Sequence, residues 1–122
     1  MEKEKIITLS IVVFILLIAG TIIYSKNIGL TVKDTPSEEI ARYIGQHSVL
    51  YVQLGCIHCK EQEDLFGANV RYLNIVDYFK EEDKQKFIDA GIEYTPTWII
   101  NNQKYEGVQS IEKLKELTGY QE

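Results

Sequence analysis

Residues 49–66 read VLYVQLGCIHCKEQEDLF. The opening run, Val49–Leu54, is β-branched, aromatic and apolar apart from one glutamine, and it predicts a short buried strand. Gly55 closes that run, and Cys56–Phe66 has the charged composition of a helix starting at the cysteines. The chain has two cysteines, and both fall on the predicted first helical turn after a strand. A C-x-x-C spacing alone suits zinc knuckles and copper sites as well as redox pairs. Its place inside a βαβ pattern points to thiol–disulfide chemistry.

The physical reason is that the thiolate, not the thiol, reacts. Free amides and the macrodipole at a helix N-terminus favour an anion on Cys56. Gly55 lets the chain turn sharply, so Cys56 is expected at the surface and Cys59 one turn further in. Cys56 would then exchange with a partner and Cys59 would resolve the mixed disulfide. His58, between the two, reads either as a solvated surface histidine or as a tuning group whose positive charge favours the Cys56 thiolate. The tuning role is preferred because of the flanking cysteines. A structural zinc needs four ligands. Only His58 and His47 could add to the pair, and neither is well placed, so no metal site is expected. A copper carrier using the two thiolates remains open, although no Met-rich or His-rich stretch accompanies it. A purely structural disulfide would close too small a ring to remove much chain entropy.

Outward from this stretch, Thr35-Pro36-Ser37-Glu38 reads as a helix start, with Thr35 as N-cap, Pro36 at the first helical position and Glu38 completing a capping box. Ile40, Ala41 and Ile44 give that helix its apolar stripe as far as His47, the helix's polar end. Val70–Val76 alternates as a second strand. Lys80–Ala90 reads as a solvated helix, with Gly91 in the left-handed conformation after it. Thr97–Ile100 is a third strand, Asn101-Asn102-Gln103 a turn, and Lys104–Glu106 the returning strand of a hairpin. Ile111, Leu114 and Leu117 are spaced for one face of a last helix. The order over residues 35–122 is therefore α-β-α-β-α-β-β-α, an α/β class. Trp98 and the eight tyrosines are explained by packing.

At the other end, Ile6–Tyr24 holds 15 apolar residues in 19 and no charge. At 1.5 Å per residue it spans about 28 Å, close to the hydrocarbon thickness of a bilayer. A cleavable signal usually has a shorter apolar region followed by a small-x-small site. Here Ala19-Gly20-Thr21 runs on into Ile22-Ile23-Tyr24, so an uncleaved anchor is expected. Lys3 and Lys5 before it and Lys26 and Lys33 after it do not orient it by charge. The expected organisation is a tail at 1–5, a transmembrane anchor at 6–24, a linker at 25–34 and a folded domain at 35–122. The 122 residues carry 13 Lys+Arg against 18 Asp+Glu, a net charge of −5. That excess lies in residues 26–122, which argues against a nucleic-acid partner and against electrostatic docking on an anionic surface. The same 97 residues have an ordinary globular composition, which excludes disorder and a disulfide scaffold.

With strand, Cys56-Ile57-His58-Cys59, helix and Thr95-Pro96 in this order, the chain resembles the thioredoxin superfamily over roughly Thr35–Tyr120. The resemblance implies a thioredoxin-like fold, a four-stranded mixed sheet flanked by helices. It also implies a cis Pro96 opposite the cysteine pair, and a Thr95 backbone that pairs with an extended stretch of the substrate. Two blocks narrow the likeness. One is Leu50-Tyr51-Val52 with His58-Cys59-Lys60-Glu61-Gln62 and Leu65-Phe66-Gly67. The other is Ala90-Gly91-Ile92 with Tyr94-Thr95-Pro96-Thr97-Trp98 and Tyr105-Glu106-Gly107-Val108-Gln109-Ser110. Together they resemble the thioredoxin-like domain fused to, or partnered with, bacterial and archaeal vitamin K epoxide reductase homologues.

That likeness implies a catalytic pair Cys56 and Cys59, no cofactor beyond their redox-active disulfide, and thiol substrates among secreted or membrane proteins. It further implies an extracytoplasmic C-terminal domain on a single-pass cell-membrane anchor, held in lipid by residues 6–24. Reoxidation would fall to a quinone-linked membrane enzyme on a separate polypeptide. The alternatives are a thiol reductase or isomerase, a metal carrier and a non-catalytic interaction module. One departure stands out: cytosolic thioredoxin carries a buried acid six residues before the first cysteine, where this chain has Leu50. Proton transfer at Cys59 therefore needs another route.

Overall fold

The structure is a computed structural model that describes residues 1–27 and 35–122. The first helix, α1, runs Glu2–Asn27. Its stretch Glu2–Ile22 is long and apolar enough to cross a membrane, and Ile6, Leu9, Phe14 and Leu17 all stand exposed. A helix that is apolar on every side suits lipid rather than a stripe of protein core. The hydroxyls of Thr8 and Thr21 donate to the Glu4 and Ile18 carbonyls, so these polar groups are satisfied within the helix. The helix also takes in 25–27, the start of the expected linker; the rest of that linker, 28–34, lies outside the described residues.

The second unit is built on α2, Glu38–His47. Its N-cap is Ser37, whose hydroxyl accepts the Ile40 N–H at 3.3 Å, not Thr35 as the capping-box reading expects. Ser37 caps as well as threonine does, and it sets Glu38 and Glu39 in the first turn, where the helix dipole favours them. Pro36 thus precedes the cap, and its carbonyl accepts the Asn69 side-chain amide at 2.9 Å. Ala41 and Ile44 are fully buried. Gly45 lies so close to the next connection that a methyl group there would run into the Tyr72 carbonyl.

Strand β1 is Ser48–Val52, and α3 is Ile57–Asp64. The strand expected over 70–76 is largely absent. Gly67–Tyr72 winds into a 3₁₀ turn, and only Ile75–Asp77 forms β2. Val70, Tyr72 and Leu73 still pack on the core from that turn; a short apolar run has no period long enough to tell strand from turn. The expected helix at 80–90 begins as a 3₁₀ turn, Glu81–Asp83, and continues as α4, Lys84–Asp89. Gly91 follows with φ +60°, as expected. Strands β3, Thr97–Ile100, and β4, Gln103–Glu106, are joined by Asn101 and Asn102. Their φ values of 51° and 61° are those of a two-residue type I′ hairpin turn. Helix α5, Ile111–Thr118, is capped by Ser110, whose hydroxyl accepts the Lys113 N–H at 3.1 Å.

The sheet order is β2-β1-β3-β4, with β2 parallel to β1 and the other two pairs antiparallel. This is the expected α/β class, a mixed four-stranded sheet flanked by helices. Period-two alternation divides it into two faces. Leu50, Val52, Trp98 and Ile100 join one cluster with Ala41 and Ile44 of α2, Cys59 of α3, Phe66 and Leu114 of α5. Tyr51 and Val76 point the other way and pack with Phe87 of α4. The larger cluster holds the N-terminal turn of α3 against the end of β1, which is where the cysteines lie.

Candidate active site

Between β1 and α3, Gln53-Leu54-Gly55 makes a tight turn closed by the Cys56 N–H donating to the Gln53 carbonyl at 3.2 Å. Gly55 sits at φ +82°, a conformation that costs a residue with a Cβ. The turn delivers Cys56 to the N-cap position of α3. There its Sγ accepts the Cys59 N–H at 3.1 Å, the role that a serine or aspartate oxygen usually plays. A thiolate on Cys56 would receive that amide together with the helix dipole.

Cys56 and Cys59 are joined as a disulfide, with Cα atoms 5.2 Å apart. Cys56 is half-buried, whereas Cys59 is 2% exposed and packs in the main core. The two sulfurs therefore face different surroundings, as the sequence predicts. The Thr95–Pro96 peptide bond is cis, and the Thr95 carbonyl oxygen lies 3.4 Å from Cys56 Sγ. Pro96 is buried, and its carbonyl accepts the Gly107 N–H at 2.8 Å. Residues 39 positions apart thus meet at one sulfur. His58 is largely exposed; its Nδ1 is 3.2 Å from Glu61 Oε2 on the outer face of α3. His47, at the end of α2, places Nδ1 2.8 Å from the Tyr43 carbonyl and stacks on the Tyr43 ring. Leu54 and Ile57, which share clefts with Cys56, are exposed, and so is Tyr94, next to Thr95 in the chain.

Three groups that sequence reasoning does not assign complete the site. Gln62 is fully buried. Its Oε1 accepts the Trp98 indole N–H at 3.0 Å and the Gln109 N–H at 2.6 Å, and its Nε2 donates to the Gln109 carbonyl at 3.0 Å. One side chain thereby ties α3 to β3 and to the loop before α5. Glu63 and Asp77, both half-buried, line a cleft of about 290 Å³ together with Val52, Cys56 and Cys59. Burial pushes the Glu63 carboxyl above its ordinary pKa; the Lys60 charge opposes this, and the Asp77 and Asp64 charges add to it. The spacing of Gln62 and Glu63 from Cys59, three and four residues on a helix, signals a shared face. Nothing local signals Asp77 or Gln109, because sheet register and loop packing bring them in. Among the described residues, no three His, Cys, Asp or Glu side chains cluster as a metal site would require.

No protein-family model matches the chain. Over a 78-residue alignment the chain is 37% identical to the thiol-disulfide oxidoreductase LTO1 of Arabidopsis thaliana, covering 58% of this chain. The chain spans about a fifth of that relative's length (21%). A protein named for thiol–disulfide exchange is thus one that this chain is similar to in sequence.

Proposed function

We propose that this chain is a membrane-anchored thiol–disulfide oxidoreductase that oxidises protein thiols outside the cytoplasm. In this reading a quinone-linked membrane enzyme of the vitamin K epoxide reductase type reoxidises it. The observation that carries the chemistry is the Cys56–Cys59 disulfide at the start of α3, with the Cys59 amide on the Cys56 sulfur and the Thr95 carbonyl beside it.

The exposures of the two sulfurs support a direction of attack. A substrate thiolate approaches Cys56, the accessible sulfur, and forms a mixed disulfide while the Cys56–Cys59 bond breaks and its electron pair stays on Cys59. A second substrate thiolate then attacks the substrate sulfur. The substrate leaves as a disulfide, and Cys56 leaves as a thiolate held by the helix N-terminus. Leu54, Ile57 and Tyr94 offer apolar contact to an unfolded client. The Thr95 backbone, next to Pro96, offers main-chain hydrogen bonds to an extended segment. His58 takes the tuning role, since a charged imidazole between the cysteines favours the Cys56 thiolate and so the reduced form. No cofactor beyond the disulfide is needed for this cycle. Helix α1 supplies the lipid anchor, and the acidic balance leaves no role for nucleic acid.

Equilibration of the full-length chain with glutathione redox buffers tests this reading. An oxidant's reduction potential, nearer about −120 mV than about −270 mV, is the expected result. A value close to that of thioredoxin would turn the assignment to a reductase. An alkaline phosphatase fused after Glu122 should be active; activity confined to a cytoplasmic reporter would overturn the extracytoplasmic placement.

A further inference from the structure

Breaking the Cys56–Cys59 bond leaves negative charge on a sulfur that is 2% exposed. Burial among apolar side chains disfavours that anion. A proton must therefore reach Cys59 as the bond breaks, and must leave again before Cys59 attacks a mixed disulfide. Leu50, fully buried on the same face of β1, carries no acid for this task.

Two other elements bring carboxyls to the cleft. Glu63 follows Cys59 by four residues on α3, so the two share a helix face. Asp77 pairs in register with Val52, at the end of β2, and closes the cleft from the sheet side. The Asp77 Oδ1 accepts the Phe79 N–H at 3.0 Å, which orients that carboxylate. Lys60 lines the same cleft, but its ammonium is 2.7 Å from Asp64 Oδ1 on the outer face. Glu63 makes no salt bridge among the described residues.

We propose that Glu63 carries the proton to and from Cys59 in the cleft that Asp77 closes from the sheet side. The inference rests on the oxidoreductase reading above. In the oxidising direction a substrate thiolate bonds to Cys56 Sγ, the S–S bond breaks, and Cys59 Sγ takes the proton of the Glu63 carboxylic acid. The resulting carboxylate regains a proton from solvent at the mouth of the cleft. In the reverse direction the Glu63 carboxylate takes the Cys59 thiol proton. The Cys59 thiolate then bonds to Cys56 Sγ and the partner leaves as a thiolate. The raised Glu63 pKa brings acid and thiol closer in proton affinity, the condition for efficient transfer near neutral pH.

Reduced full-length chain in detergent, mixed with oxidised glutathione and quenched rapidly in acid, resolves the two steps by mass. The glutathionyl adduct on Cys56 forms first, and Cys59 removes it second. In Glu63→Gln the second step at pH 7 should slow at least about tenfold, while the first changes by no more than about twofold. The pH profile of the second step should move up toward the ordinary thiol value of about 8.5. Glu63→Asp should recover most of the rate. Asp77→Asn removes a charge that raises the Glu63 pKa, so its profile should move to lower pH. A Glu63→Gln variant with a wild-type second step and profile overturns the inference and leaves the oxidoreductase reading standing. Equal slowing of both steps marks a structural role and also overturns it. Failure of the wild-type chain to form the adduct would overturn both readings.

Discussion

The two faces of the sheet are covered very differently. Among the described residues, one face carries nine buried core residues drawn from the sheet, α2, α3, the Phe66 that follows α3, and α5; the other carries Tyr51, Val76 and Phe87, under the six-residue α4. The thick face also contains the polar tie through Gln62 and holds the buried sulfur. The thin face leaves Tyr78, Phe79 and Ile88 exposed. The difference teaches where rigidity is needed: the helix that aims Cys56 and hides Cys59 is fixed by dense packing and by hydrogen bonds that have no water to replace them.

Removing one aromatic side chain from each face tests this directly. Trp98→Ala should cost about 5 kcal/mol, at the upper end for such truncations, because a fully buried indole leaves a large cavity and takes away one of the two hydrogen bonds to the Gln62 oxygen. Phe87→Ala should cost about 3 kcal/mol, because its site near the surface can partly collapse. Urea unfolding followed by circular dichroism gives both numbers, and equal losses would break the comparison. Gln62→Met keeps the volume but leaves the Trp98 N–H and the Gln109 amide groups without their partner. It should cost about 2 kcal/mol and should also alter the alkylation rate of reduced Cys56, which Phe87→Ala should leave alone.

The smallest effect lies on the thin side. The buried Asp83 carboxylate accepts the Lys86 ammonium and the Asp77 N–H, which hold its pKa below the usual value. A lowered folded-state pKa stabilises the fold above the unfolded value of about 3.9, and that contribution fades as pH falls through the folded value. Asp83→Asn should therefore cost about 1 kcal/mol at pH 7 and progressively less below pH ~4. A constant difference from pH 7 to pH 2 would show that its carboxylate charge plays no part.

What could be read early and what could not divides along sequence distance. The cysteine turn, the Asn101-Asn102 hairpin and the last helix, read from Ile111, Leu114 and Leu117, all rest on neighbouring residues, and the structure has each where expected. The first helix start moved two residues because Thr35 and Ser37 are equivalent caps, and only the contacts of Pro36 and Gly45 with the 67–72 turn choose between them. The strand read at 70–76 became mostly a 3₁₀ turn because half-buried Val70, Tyr72 and Leu73 satisfy either geometry.

The amino-acid order by itself determined a uniformly apolar first helix, an α/β domain and a thiol pair placed on a helix N-terminus, since caps, periodicity and glycine turns act within a few residues. Only the tertiary structure decided that Thr95 stands beside Cys56, that Gln109 anchors Gln62, and that Glu63 and Asp77 share the cleft of Cys59. Those meetings depend on strand register and on how loops close over long separations, where many pairings are locally equivalent and the packed core selects one.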